Sequence, residues 1–90
     1  MTATYSLRII SQEKQVYEGE VESLVAPGAL GYLGVLAHHA PLLTSLTPGK
    51  ISIRDARGDS REFRVEGGFL EVSAEEAVIL TDQIQEESQS

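Results

Sequence analysis

Few residues in this ninety-residue chain have a type and spacing suited to chemistry. His38-His39 comes first, as a candidate for metal ligation or proton transfer. Adjacent side chains on a strand point to opposite faces, so the pair cannot chelate one ion there. A zinc site needs further ligands, the chain has no cysteine, and no carboxylate lies between Gly28 and Gly49. A histidine packed at an interface or capping a turn is the better reading. Gly28, Gly31 and Gly34 are spaced loosely like a phosphate loop, but no lysine follows and no helix begins there to aim amides at a phosphate. Arg57-Gly58-Asp59 spells an adhesion tripeptide whose residue types are also those that a hairpin turn favours. Ser23, Thr44, Ser45 and Ser52 have no nucleophile elbow around them. Glu75-Glu76 and Glu86-Glu87 read as solubilising charge, because acid–base work needs a shielded carboxylate. The expectation is therefore no catalytic residue, no metal and no cofactor.

The elements that hold these residues are short and extended. Leu7 and Ile9 alternate with polar neighbours, and Val16-Tyr17 precede a turn expected at Glu18-Gly19. Val21, Ser23 and Val25 alternate up to the turn pair Pro27-Gly28. Tyr32–Leu36 and Leu42–Leu46 follow as strands, then Pro48-Gly49 as a second turn. Ile51 and Ile53 form one arm of a hairpin closed by residues 55–60, and Phe63 and Val65 form the other. Gly67-Gly68 breaks the ladder. Leu70 and Val72 face one way, with Phe69 and Glu71 facing the other. Val78–Leu80 closes the ordered pattern. Turn signals at this spacing predict an all-β sandwich or barrel, with a β-sandwich domain over 1–82 and a polar, frayed tail over 83–90.

Composition narrows the function classes. The formal charge is −7, and seven scattered basic residues supply no face for nucleic acid or anionic lipid. No apolar run is long enough to span a bilayer and no export signal is apparent, so an intracellular, soluble chain is expected. The unusual segment is Gly31–Gly49, a block of glycine, proline and apolar residues that holds both histidines. A block of this kind builds a core or docks on another protein.

Within that block lie Leu33-Gly34-Val35-Leu36, His39-Ala40-Pro41-Leu42-Leu43-Thr44 and Leu46 with Pro48-Gly49. Ala26-Pro27-Gly28 precedes them. Gly67-Gly68-Phe69-Leu70-Glu71-Val72 and Leu80-Thr81-Asp82 follow. With Leu7–Ser11 and Tyr17–Val21, these words run in order over almost the whole chain. The chain thereby resembles the epsilon subunit of the F-type ATP synthase, called delta in mitochondria. The resemblance implies a flattened β-sandwich of about ten short strands and a non-catalytic place in the central stalk. Its partners would be the gamma subunit and the ring of c subunits of a proton-translocating enzyme. The complex would sit at the cytoplasmic face of the bacterial inner membrane, or on the stromal side of a thylakoid. By position, the gamma contact falls on His39, Ala40, Pro41, Leu42 and Leu43, and the turn facing the c ring on Gly28, Ala29, Leu30, Gly31 and Tyr32. The isolated domain is expected to be monomeric, without direct membrane insertion.

Three departures accompany the resemblance. Leu30 and Tyr32 stand where the family often has Glu, which implies a contact that is more apolar or differently matched. Ala37-His38 replaces the usual Pro-Gly and removes a rigid turn. The two-helix C-terminal domain of most bacterial and chloroplast members has no counterpart before Ser90, so coupling without helix-based inhibition is expected. A free-standing β-sandwich binding protein is the alternative reading, and an enzyme using His39 is the third.

Overall fold

The computed structural model describes residues 3–12 and 14–87. Among these, nine strands form one continuous hydrogen-bonded sheet and no helix is present. They are β1 (Tyr5–Ser11), β2 (Lys14–Gly28), β3 (Gly31–Leu36), β4 (Leu42–Leu46), β5 (Gly49–Asp55), β6 (Ser60–Val65), β7 (Gly68–Val72), β8 (Glu76–Thr81) and β9 (Ile84–Glu87). The strand order is β1-β8-β7-β4-β2-β5-β6-β9, with β3 beside β2 and β1 also paired to β2. All pairs are antiparallel except β1–β8.

The sheet folds over itself through β2. From Lys14 to Val21 this strand pairs with β1, while Val21 to Gly28 pairs with β5, β3 and, at Gly28↔Leu46, β4. A register shift between Val21 and Ser23 marks the change of partner, and bulges of this kind bend and twist a strand. The expected turn at Glu18-Gly19 is absent. Gly19 lies inside β2, and a side chain there would meet the Tyr17 hydroxyl at 3.0 Å. The Tyr17 ring thus occupies the space beside the glycine, and two expected short strands become one of 15 residues. The Pro27-Gly28 turn also moves: the loop between β2 and β3 is Ala29-Leu30.

The core follows the alternation along each strand. Leu7, Ile9, Val21, Leu24, Ile51, Phe63, Val65, Leu70 and Ile79 are fully or almost fully enclosed. Burying each such side chain contributes about 1.5–3 kcal/mol. Tyr17 meets Phe63 edge to face, with ring centroids 6.1 Å apart. Burial pushes the Tyr5 phenol up, and its hydroxyl donates to the Val35 carbonyl at 2.7 Å.

The expectation of a frayed tail from residue 83 is corrected over 84–87. Ile84 pairs with Val65 and packs against the core, which seats β9 on the edge of β6. Residues 88–90 lie outside the described residues.

Gly68 begins β7 with φ of 136°, and a Cβ there would collide with the Leu80 carbonyl oxygen and approach Thr81 Cα at 3.0 Å. Both obstacles are backbone, so they cannot swing away. Gly68→Ala is expected to destabilise the domain by about 2–4 kcal/mol, read as a lower urea midpoint at unchanged slope.

Candidate functional site

His38 and His39 lie in the connection between β3 and β4, and not on a strand. His38 is exposed and adopts φ of 68°. This left-handed conformation is the one glycine takes most easily and histidine tolerates better than most residues. A tight turn thus survives without the Pro-Gly pair. It is closed by His39 N–H donating to the Leu36 carbonyl at 3.2 Å. His39 Nδ1 lies 2.7 Å from the Ala40 carbonyl; a carbonyl only accepts, so Nδ1 carries the proton in this contact. Among the described residues no three His, Cys, Asp or Glu side chains gather as metal ligands. The buried polar or charged class there consists of Thr81.

The segment from His39 to Leu43 divides by face. Leu42, the first residue of β4, packs against the core, while Leu43 turns outward and is 70% exposed. Ala40 and Pro41 are exposed and His39 is half-buried. On the outer face Leu43 sits diagonally to Phe69, since Leu43 opposes Glu71 and Ser45 opposes Phe69. The row continues across the ladder as Phe69↔Leu80 and Leu80↔Ile10. Phe69 is 56% and Leu80 49% exposed. These residues border an open cleft of about 500 Å³ whose rim includes Glu66 and Asp82. Alternation along the sequence sets Phe69 on the face opposite Leu70 and Val72 and does not mark it as a site. The available signal was a large aromatic where alternation calls for a polar residue.

On the other face of β4 lies the β2–β3 hairpin. Gly28 is buried at the end of β2, Ala29-Leu30 form the loop, and Gly31 and Tyr32 open β3. Leu30 is fully exposed at the tip. Between hairpin and β4 is a second open cleft of about 290 Å³, lined in part by Leu30, Tyr32, Leu33, Leu42 and Thr44. The structure therefore brings Leu42 beside the hairpin and sends Leu43 to the outer row.

Charged groups form clamps at the surface. Arg61 donates to both carboxylate oxygens of Glu86 at 2.7 Å, and its guanidinium lies 4.9 Å from the Tyr17 ring centroid. Lys50 pairs with Glu87 at 3.0 Å, and Arg8 with Glu76 at 2.9 Å. Glu76 and Glu86, expected as solubilising charge, thus tie neighbouring strands together, and Glu87 reaches across β6 to β5. In the Arg57-Gly58-Asp59 turn, Asp55 accepts from the amides of Arg57 and Asp59, both at 2.9 Å. That is the hairpin role expected of the tripeptide.

Fold and surface together define a small β-sandwich domain whose uncovered features are an apolar outer row and an apolar hairpin tip. The chain belongs to the family described as ATP synthase, Delta/Epsilon chain, beta-sandwich domain, whose model matches residues 4–87. It is 42% identical over 80 residues to the ATP synthase epsilon chain of Xanthomonas euvesicatoria pv. vesicatoria, covering 89% of this chain and 57% of that one. It is 35% identical over 83 residues to the epsilon chain of Dichelobacter nodosus, covering 92% and 58%. The chain thus spans a little over half the length of these relatives. Its fold matches a chain in the Euglena gracilis mitochondrial ATP synthase, OSCP/F1/c-ring structure, with a TM-score of 0.88 at 23% identity, covering 96% of this chain and 55% of that one. It also matches a chain in the Tetrahymena thermophila mitochondrial ATP synthase central stalk/c-ring structure, with a TM-score of 0.75 at 19% identity, covering 93% and 67%.

The Arg61 hydrogen bonds hold the Glu86 carboxyl below the ordinary carboxylate range. A depressed folded value means that this support for β9 is present above that range and is lost as pH falls below it. Amide protection at Gln85, whose N–H faces β6, is expected to drop as pH falls from about 5 towards 3, and Glu86→Gln is expected to flatten that profile. Hydrogen exchange followed by NMR measures both.

Proposed function

We propose that the chain is a non-catalytic, peripheral central-stalk element of a proton-translocating F-type ATP synthase, joining the gamma subunit to the c ring. In that place it transmits rotation driven by ion flow, on the cytoplasmic face of a bacterial inner membrane. The observation that carries this reading is the division of β4. Leu43 joins the outer apolar row and Leu42 joins the hairpin cleft, so one strand separates two apolar features. A linker between two partners needs two such features held in a fixed relation.

In this assignment the outer row, with Ala40, Pro41 and Leu43, meets gamma. His39 shapes the turn that presents them, and Leu42 supports the segment from within. The Gly28–Tyr32 hairpin meets the c ring. Leu30 carries no charge, so this second contact depends on apolar fit and responds weakly to salt.

Leu43 separates docking from folding, because it is exposed where Leu42 is packed inward. Leu43→Asp is expected to weaken co-elution with gamma at least tenfold with little change in melting temperature. Co-elution of the variant like the parent chain would overturn the gamma assignment. In reconstituted vesicles, Leu30→Asp is expected to lower coupled proton pumping while gamma binding persists. Undiminished pumping would remove the c-ring contact and leave a binding module with one partner.

A further inference from the structure

We infer that Tyr32 is a positioning residue that latches the β2–β3 hairpin to β5 and thereby sets the direction in which Leu30 points. This rests on the reading of the hairpin tip as a docking element. Tyr32 faces Pro27 across the hairpin ladder. Proline has no N–H to give to a neighbouring strand, and the β2–β5 ladder reaches its last pair at Val25↔Ser52. Two residues beyond that pair, the N–H of Lys50 donates to the Tyr32 hydroxyl at 3.1 Å. The side chain of β3 therefore continues a connection that the β2 backbone has given up.

The residue before Lys50 is cut to fit this contact. A Cβ at Gly49 would stand 2.6 Å from the Tyr32 hydroxyl and 3.0 Å from Pro27 Cβ, so a side chain there would displace the ring. Lys50 is itself held by Glu62 and Glu87 at 3.8 and 3.0 Å, which gives the latch a braced anchor. Tyr32 is 61% exposed, so its ring adds little to the core. Its remaining role is geometric. The β2 arm of the hairpin is tied to the body by the Gly28↔Leu46 pair and by Thr47 N–H donating to the Pro27 carbonyl at 2.8 Å. Without the latch the β3 arm loses its tie to β5, and a tip that wanders more loses affinity by having to be ordered on contact.

The test compares Tyr32→Phe, which keeps the ring and removes the acceptor, with Gly49→Ala, which keeps the acceptor and crowds the ring. Hydrogen exchange is read by NMR on the free ninety-residue chain. Both variants are expected to speed exchange at the Lys50 amide by about threefold to tenfold and to lower order at Ala29–Gly31. Ile51 and Ile53, in the core ladder, should be unchanged, whereas a general loss of stability would move them too. Unchanged exchange at Lys50 in Tyr32→Phe overturns the latch. Affinity for a detergent-solubilised c ring is then measured for Tyr32→Phe and Leu30→Ser. Weaker binding by both supports positioning. Weaker binding by Leu30→Ser with unaltered binding by Tyr32→Phe overturns it. Unaltered binding by both, with the exchange effect present, removes the c-ring reading while the latch to β5 stands.

Discussion

Strand β2 is the constraint on which the rest of the molecule depends. It is hydrogen-bonded to β1 along its first half and to β3 and β5 along its second, and the register shift near Val21 lets one strand serve both regions. Ninety residues form a small core with a thin stability margin, and a shared strand lets the sheet enclose its apolar side chains without a separate layer. That Leu7, Ile9, Phe63 and Leu70 share one core follows from that fold-over. So does the position of the hairpin, which leaves the body where β2 ends.

Much of this architecture was legible because each strand carries its own alternation. Leu42–Leu46 is bounded by Pro41 before it and the Pro48-Gly49 pair after it. The Ile51/Ile53 and Phe63/Val65 hairpin announced itself through Asp55–Ser60. What escaped depended on partners far along the chain. Gly19 resembles a turn residue until the Tyr17 ring beside it is seen. Glu86 and Glu87 resemble a solvated tail until Arg61 and Lys50 are brought alongside. Short-range pattern records which face a residue takes, and it does not record which strand lies next to it.

The candidate site shows the same division. A contiguous word, His39-Ala40-Pro41-Leu42-Leu43, suggested one contact patch, yet the pleat sends Leu42 and Leu43 in opposite directions. The outer row that Leu43 joins is assembled from Ile10, Phe69 and Leu80, residues that no local motif unites. The hairpin tip was visible directly, because its loop sits between two strands that are adjacent in sequence.

The parallel pairing of β1 with β8 has a consequence for how the domain is made. Arg8 and Glu76, which bridge this pair, are 68 positions apart. As the chain leaves the ribosome, β1 can zip to β2 at once, but its other edge stays open until β8 has emerged. Synthesis runs at roughly 5–20 residues per second, so this edge waits for seconds beside Leu7 and Ile9 with no strand to cover it. Unpaired edges of this kind are where nascent β-proteins pair with the wrong neighbour. The domain is therefore assembled at its end, when a late strand fills the gap left by the first.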